Sequence, residues 1–281
     1  MTSEERYRLV LAKFDRARHH ADELVTAVKN YIGKEPYKLG FKVGEDGRPA
    51  YFVETVENVP TLIPTTVGDV LHNLRCCLDH LAYQLVWVST GAPPTDPNRL
   101  YFPICESATK YDKRKQSGDL FFASAGVAAI AAVDSLKPYK GGNDPLWWLH
   151  ALNNVDKHRM LISAGGKAAS VDMGLARGMV KSLVQNTLFP EEVREGMVRA
   201  AEELAKKPLF FKLADPMFPL KAGDVFFYDA PGNEFNPDVK LKVYLALGEV
   251  GITPPEPIDQ LLHTIGKAVE ATINTLRPCL A

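Results

Sequence analysis

The stretch Leu71-His72-Asn73-Leu74-Arg75-Cys76-Cys77-Leu78-Asp79-His80-Leu81-Ala82-Tyr83-Gln84-Leu85 decides the fold of this chain. Its leucines recur at alternating three- and four-residue steps, which puts them on one side of an α-helix: Leu71, Leu74, Leu78, Leu81 and Leu85. Such a seam packs against other helices, because burying leucine side chains removes apolar surface from water. The stretch therefore predicts a helical bundle.

Two further segments have the periodicity of helices that could pack against this seam. Residues 4–31 carry apolar side chains at three- and four-residue steps, and so do residues 258–276. Asn143-Asp144-Pro145 predicts the start of another helix, since a capping residue precedes a proline of the first turn. The last helix has no strand partner nearby in sequence, so we expect it to return to the N-terminal helices.

Boundaries between elements are predicted from turn and capping signals. Pro64 and Thr65 indicate the end of a hairpin segment, and Thr66-Val67-Gly68-Asp69 resembles a capping box that starts the leucine-rich helix. Residues 109–118 are polar and predict a loop, whereas the alanine-rich residues 120–136 predict one helix.

The β-strands are predicted in two places. An Asp-Gly turn between apolar runs predicts a hairpin near residues 41–56. Short apolar runs predict later strands at residues 209–213, 224–228 and 239–247. This order favours an α+β fold. We predict a single domain, residues 1–281, with a mainly helical N-terminal bundle over residues 1–159. A small antiparallel sheet and a closing C-terminal helix occupy residues 160–281.

Composition narrows the class of protein. The net charge of −1 gives no global basic field that would attract nucleic acid or an anionic membrane. No apolar run reaches the roughly 18 residues of a membrane span, and the polar start is unlike a signal peptide. The four cysteines show no metal or redox spacing, which is typical of reduced thiols. We therefore expect a cytoplasmic protein without a membrane partner.

Two polar clusters interrupt the apolar helices. The first contains His72, Asn73, Arg75, Asp79 and His80. The second contains His150, Asn153, Asp156, Lys157 and His158. Polar groups on a buried surface are costly unless they are paired, so the two clusters suggest one shared polar site. On adjacent antiparallel helices, Asp79 or His80 would approach residues of the second cluster.

One interpretation gives these residues a purely structural role. Arg75 and Asp79 are four residues apart, which is the spacing of a salt bridge along a helix. Caps and buried hydrogen bonds would account for most of the others. The chain would then be a non-catalytic protein that binds a ligand or a partner.

A second interpretation rests on Arg75-Cys76-Cys77-Leu78-Asp79-His80, which resembles the Arg-x4-His pattern of HEPN domains, a family of small helical bundles. The resemblance implies a metal-independent ribonuclease of bacterial stress or phage defence, with RNA and a second copy of the chain as partners. Arg75 and His80 would then be catalytic, with Asp79 beside them. A histidine can move the proton of a ribose 2′-OH, and a guanidinium can neutralise charge on a phosphate.

Two features depart from the HEPN pattern. Cys76 follows the arginine, where that family commonly has a polar residue. On a continuous helix, residues five apart also point about 140° away from each other, so shared chemistry would need a break in the helix or a dimer.

A second resemblance covers about half of the chain. The segments Leu71 to Ala82, Phe102-Pro103-Ile104, Leu136-Lys137-Pro138-Tyr139 and Leu149 to Arg159 are similar to a bacterial family of uncharacterised proteins. It implies a bacterial cytosolic setting and no particular activity.

A third interpretation is a metal-binding helical bundle. The competent ligands are His72, Asp79, His80, His150, Asp156 and His158. In both clusters, however, the histidines are eight residues apart rather than four, so one metal would not be held by two of them from one helix. We therefore predict no metal and no cofactor, and the sequence leaves open whether the chain is an enzyme.

Overall fold

The structure, a computed structural model, describes residues 1–158, 162–172, 180, 183–184, 190–205, 210–213, 218–229, 235–236, 238–248 and 251–281. Its α-helices are α1 (Ser3–Ile32), α2 (Leu62–Thr90), α3 (Ala108–Gln116), α4 (Leu120–Ser124), α5 (Val127–Leu136), α6 (Asp144–His158), α7 (Glu191–Ala205) and α8 (Ile258–Leu276). Its strands are β1 (Tyr37–Val43), β2 (Pro49–Val56), β3 (Ala164–Asp172), β4 (Phe210–Lys212), β5 (Val225–Tyr228) and β6 (Lys240–Leu247). The predicted α+β fold is confirmed. Within the described ranges, no helix is long and apolar enough to cross a bilayer.

The chain forms two compact units. The first consists of residues 1–30, 60–164 and 247–281, and the second of residues 31–59 and 165–246. The predicted hairpin of β1 and β2 therefore groups with the later strands. That residues 1–281 make one domain stays a prediction.

In the first unit, α2 is a central helix of the predicted bundle. Every leucine of its seam is at most 3 % exposed. It packs against α6 and α8, and α8 also packs against α5. Along α1, Arg6 Nη1 donates to Gln84 Oε1 at 2.7 Å and Cys77 Sγ donates to the Val10 carbonyl at 3.2 Å. The expected return of the last helix to the N-terminal bundle is confirmed.

The start of α2 differs from the prediction. The helix begins at Leu62, so Pro64 lies inside its first turn rather than before it. Proline is tolerated there because the first backbone N–H groups of a helix have no partner within it. Thr66 is already helical, and its hydroxyl donates to the Leu62 carbonyl at 2.7 Å. The capping box expected at Thr66 was therefore wrong.

Two other element boundaries predicted from the sequence were also wrong. Residues 108–116 form α3 rather than a loop, because Ser107 caps the helix and accepts the N–H of Lys110 at 3.2 Å. Its one buried side chain, Tyr111, leaves no apolar periodicity to read in the sequence. The predicted helix over residues 120–136 is two helices, because Gly126 has a φ of +78° and ends the helical path.

Among its described residues, the second unit contains two three-stranded sheets, with strand orders β1-β2-β5 and β4-β3-β6. In the first sheet, Tyr51 of β2 pairs with Phe41 on one side and with Phe227 on the other, both antiparallel. The core between the elements of this unit contains Tyr51, Val53, Ala168, Val171, Leu220, Phe226 and Val239. The strands predicted near residues 210, 225 and 240 are confirmed.

Candidate functional site

Arg75 and Asp79 form a clamp that holds the peptide groups of Phe102 against α2. Arg75 is 5 % exposed, and its Nε and Nη2 donate to the two carboxylate oxygens of Asp79 at 3.2 and 2.8 Å. Nη2 also donates to the Phe102 carbonyl at 2.9 Å. Asp79 Oδ1 in turn accepts the Phe102 N–H at 2.9 Å. One ion pair therefore satisfies both backbone groups of a residue outside the helix.

The clamp sets the direction of two neighbouring aromatic side chains. Phe102 is fully buried, whereas Tyr101 is 50 % exposed. Because the Phe102 peptide groups are fixed to α2, the preceding Tyr101 is held on the surface beside the same helix. Residues 97–101 thereby become one wall of a cleft.

This cleft is open to solvent and has a volume of about 810 Å³. Its walls are α1, α2 and residues 97–101. The polar and aromatic side chains that line it are Lys13, Arg16, Asp79, His80, Tyr83, Gln84, Asn98 and Tyr101. His80 is solvent-exposed, and Lys13 and Arg16 are one helical turn apart on α1. An imidazole and two cations therefore share one cleft in the first unit.

The electrostatic surroundings of His80 favour its neutral form. Although His80 is exposed, the protein atoms around its ring displace part of its water, and this desolvation lowers its pKa. The Lys13 ammonium lowers the pKa further, while Asp79 acts in the opposite direction. Burial and a nearby cation both disfavour an imidazolium. At neutral pH the imidazole is therefore available to accept a proton.

Helices α2 and α6 pack against each other, and charged residues of the two polar clusters affect each other's pKa across this interface. A Cβ on Gly68 would lie 2.7 Å from each carboxylate oxygen of Asp156. Burial and then Asp69 raise the pKa of the Asp156 carboxyl, while His72 lowers it. Burial and then Lys157 lower the pKa of His72. Of the first cluster, His72 therefore interacts electrostatically with α6, whereas Asp79 and His80 line the cleft. That the two clusters form one shared site stays a prediction.

The remaining residues of the first cluster are tied to α2 itself. Asn73 is buried, and its Nδ2 donates to the Asp69 carbonyl at 2.8 Å. His72 Nε2 lies 3.4 Å from Cys76 Sγ. Both contacts join residues four apart on one helix, so they support the structural interpretation for these two side chains.

In the second cluster, His150 lies in an electropositive setting. Its pKa is lowered to about 4. Burial is the largest cause, and the positive charges of Arg75 and Arg114 lower the pKa further. Asn154 Nδ2 donates to His150 Nε2 at 3.2 Å. This histidine is therefore neutral at physiological pH.

The other members of the second cluster lie on different sides of α6. Asn153 is 3 % exposed, whereas Lys157 is exposed. His158 is the last residue of α6, and its side chain is outside the described residues. In the part of the chain that the structure describes, no three His, Cys, Asp or Glu side chains gather closely enough to hold a metal ion.

Sequence reasoning missed the cations of the cleft. Lys13 and Arg16 lie on the polar face of α1, about 65 residues before His80. Their three-residue step is a weak signal, because charged pairs of this spacing are common on exposed helix faces. Only the packing of α1 along α2 puts them beside the imidazole.

Comparison of the chain with protein-family models, with curated proteins and with solved structures finds no match. The resemblance to HEPN domains stays an expectation drawn from Arg75 and His80. The fold and the site define an α+β protein with a basic, histidine-containing cleft in its helical unit.

Proposed function

We propose that the chain is a HEPN-like, metal-independent ribonuclease whose active site is the cleft between α1, α2 and residues 97–101. The observation that supports this most is the solvent-exposed His80 beside Lys13 and Arg16. The resemblance further implies a role in bacterial stress or phage defence.

In this proposal the phosphate contacts come from α1 rather than from Arg75. The Nε and Nη2 of Arg75 are engaged by Asp79 and Phe102, and its Nη1 is buried. Arg75 is therefore a positioning residue that fixes the cleft wall. Lys13 and Arg16 would neutralise the charge that develops on the phosphate.

His80 would act as the general base. Its imidazole takes the proton of the ribose 2′-OH while the 2′-oxygen bonds to phosphorus. The bond from phosphorus to the 5′-oxygen breaks, and that oxygen takes up a proton. The products are a 2′,3′-cyclic phosphate and a 5′-hydroxyl. A second copy of the chain would supply the acid, in keeping with the dimer that the resemblance implies.

The experiment uses the purified full chain with labelled single-stranded and hairpin RNA in EDTA. We expect His80→Ala to lower the cleavage rate at least about 100-fold, the range of general acid–base catalysis. Lys13→Gln with Arg16→Gln should lower it about tenfold or more. Arg8→Gln is the matched control, because Arg8 is an exposed cation of α1 outside the cleft.

Two results would contradict the ribonuclease. One is the absence of cleavage of both RNAs by the wild-type chain. The other is a His80→Ala variant that cleaves RNA at the wild-type rate. An unchanged melting temperature would show that this variant is folded.

A second candidate function is a non-catalytic protein that binds a ligand or partner. The clamp between Arg75, Asp79 and Phe102 favours it, because the ion pair and its hydrogen bonds to the Phe102 peptide groups give both charged residues a structural role. In that case Arg75→Ala would lower the melting temperature, and His80→Ala would change neither the melting temperature nor the fate of RNA.

A further inference from the structure

The second unit contains its own open cleft, with a volume of about 810 Å³. It is lined by parts of residues 32–39 and 239–243, by Tyr51 and Glu54, and by Phe235 and Asn236. Its charged side chains are Lys34, Glu35, Lys38, Glu54, Lys240 and Lys242. Among the lining residues that the structure describes, four lysines therefore stand against two glutamates.

An exposed aromatic ring lies in this cleft. Phe235 is 52 % exposed, so about half of its side chain is open to solvent. Its ring stacks on that of Tyr51 at a centroid distance of 6.1 Å and an interplanar angle of 29°, and it also contacts the ring of Phe41. The Tyr51 hydroxyl accepts the N–H of Asn236 at 2.8 Å. The buried Tyr51 thus supports Phe235 from one side.

The lysines come from two separate segments of the cleft wall. On β6, the exposed Lys240 and Lys242 alternate with Leu241 and Val243, which pack against the core of the unit. Because side chains of a strand alternate between faces, both lysines lie on the solvent side. Lys34 and Lys38 are exposed at the other segment. Cationic side chains therefore flank the cleft that holds Phe235.

We propose that this cleft binds single-stranded RNA, with Phe235 stacking on a base and the lysines contacting backbone phosphates. Basic grooves with exposed aromatic rings bind unpaired strands in this way, because every base has a π face that such a ring can contact. A duplex hides those faces within its own stack. The choice of RNA as the nucleic acid rests on the proposed function.

The test measures the affinity of the full chain for a fluorescent oligouridylate, in the His80→Ala background so that no cleavage interferes. The variant Lys34→Gln/Lys38→Gln/Lys240→Gln should bind at least tenfold more weakly. The slope of log Kd plotted against log salt concentration should be smaller by about 2 in this variant. That is the change for three lost phosphate contacts on a single strand. Lys221→Gln is the matched control, since Lys221 is exposed in the same unit but outside the cleft.

Phe235 is tested separately. Phe235→Leu keeps an apolar side chain and removes the π face, and it should weaken binding about tenfold, whereas Phe235→Trp should retain it. The inference is overturned if either the lysine variant or Phe235→Leu binds within twofold of its parent, or if a hairpin binds as tightly as the oligouridylate.

These results are distinguishable from those that test the ribonuclease. If the chain with His80 intact cleaves no RNA but the cleft variants lose affinity as expected, the ribonuclease fails and this binding site stands. If the chain cleaves RNA and the cleft variants keep the parental affinity, the ribonuclease stands and this site fails.

Discussion

Gly68 and Asp156 are in direct contact where α2 packs against α6. A Cβ added to Gly68 would lie 2.7 Å from both carboxylate oxygens of Asp156 and 2.9 Å from the carbon that joins them. The glycine therefore makes room for a carboxylate of the neighbouring helix. Half-buried Asp156 has a carboxyl pKa raised by its burial, so this contact brings an ionisable group close to a helix backbone.

We expect Gly68→Ala to lower the free energy of unfolding by about 1 kcal/mol. The added methyl displaces the Asp156 carboxylate, and this cost exceeds the gain of up to about 1 kcal/mol that alanine brings to a helix. Chemical denaturation measures the change. Gly266→Ala on α8 is the matched control and should stabilise, because nothing lies within 4 Å of its added Cβ. Stabilisation by Gly68→Ala, or no recovery when Asp156→Ala is added, would contradict the contact.

Arg75→Ala should lower the free energy of unfolding by about 2–3 kcal/mol. The substitution leaves Asp79 and the Phe102 carbonyl without charged hydrogen-bond donors, and hydrogen bonds to charged groups contribute about 1.5–3 kcal/mol. Arg16→Ala should change it by less than about 0.5 kcal/mol, because Arg16 is exposed. Urea denaturation of both variants makes the comparison. Equal stability of the two would argue against the clamp.

The pKa of His80 should respond to Lys13. The ammonium of Lys13 disfavours the imidazolium, so Lys13→Gln should raise the pKa of His80 toward that of an ordinary histidine. A titration of the His80 ring protons by NMR gives the direction of the change. Lys29→Gln, an exposed position of α1 outside the cleft, should leave the value unaltered. A His80 pKa that falls in the Lys13 variant would rule out their proximity.

His150 should make the protein sensitive to acid. Its pKa is about 4 in the folded chain and about 6.5 when unfolded, so between these values the unfolded state binds more protons. The contribution of His150 to stability is therefore present above pH 6.5 and is lost as the pH falls toward 4. Over this range the free energy of unfolding falls by at most about 1.4 kcal/mol per pH unit.

The measurement for His150 is the melting temperature as a function of pH. His150→Gln should flatten the profile between pH 6.5 and 4. Replacement of the exposed His263 in the same way controls for the general effect of losing a histidine. An unchanged slope in the His150 variant would show that this residue does not cause the acid sensitivity.

The helices of the bundle could be predicted from the sequence because their burial is periodic. The leucines of α2 and the apolar stripe of α8 indicate which face of each helix is buried. By contrast, α3 has one buried residue, Tyr111, and its sequence carries no such periodicity. The pairing of β2 with β5 joins residues far apart in the chain, and no local pattern records it.

The candidate site was predictable only in part. The pattern around His80 marked the right helix, but Lys13 and Arg16 enter the cleft through tertiary packing. The spacing of Arg75 and Asp79 predicted their salt bridge, which the structure contains. The spacing could not indicate that the pair also binds the Phe102 peptide, because that partner lies beyond a proline-rich loop.

The clamp at Phe102 has a consequence for how quickly the cleft can be occupied. The cleft wall of residues 97–101 is fixed to α2 before any ligand binds, so binding needs no step that orders this wall. The association rate is then limited by diffusion and charge and not by closure of the wall. A weakened clamp would therefore lower the association rate of a ligand more than it changed the contacts in the bound state. Arg75 and His80 share one helix, so the wall and the imidazole would move as one body if α2 shifted.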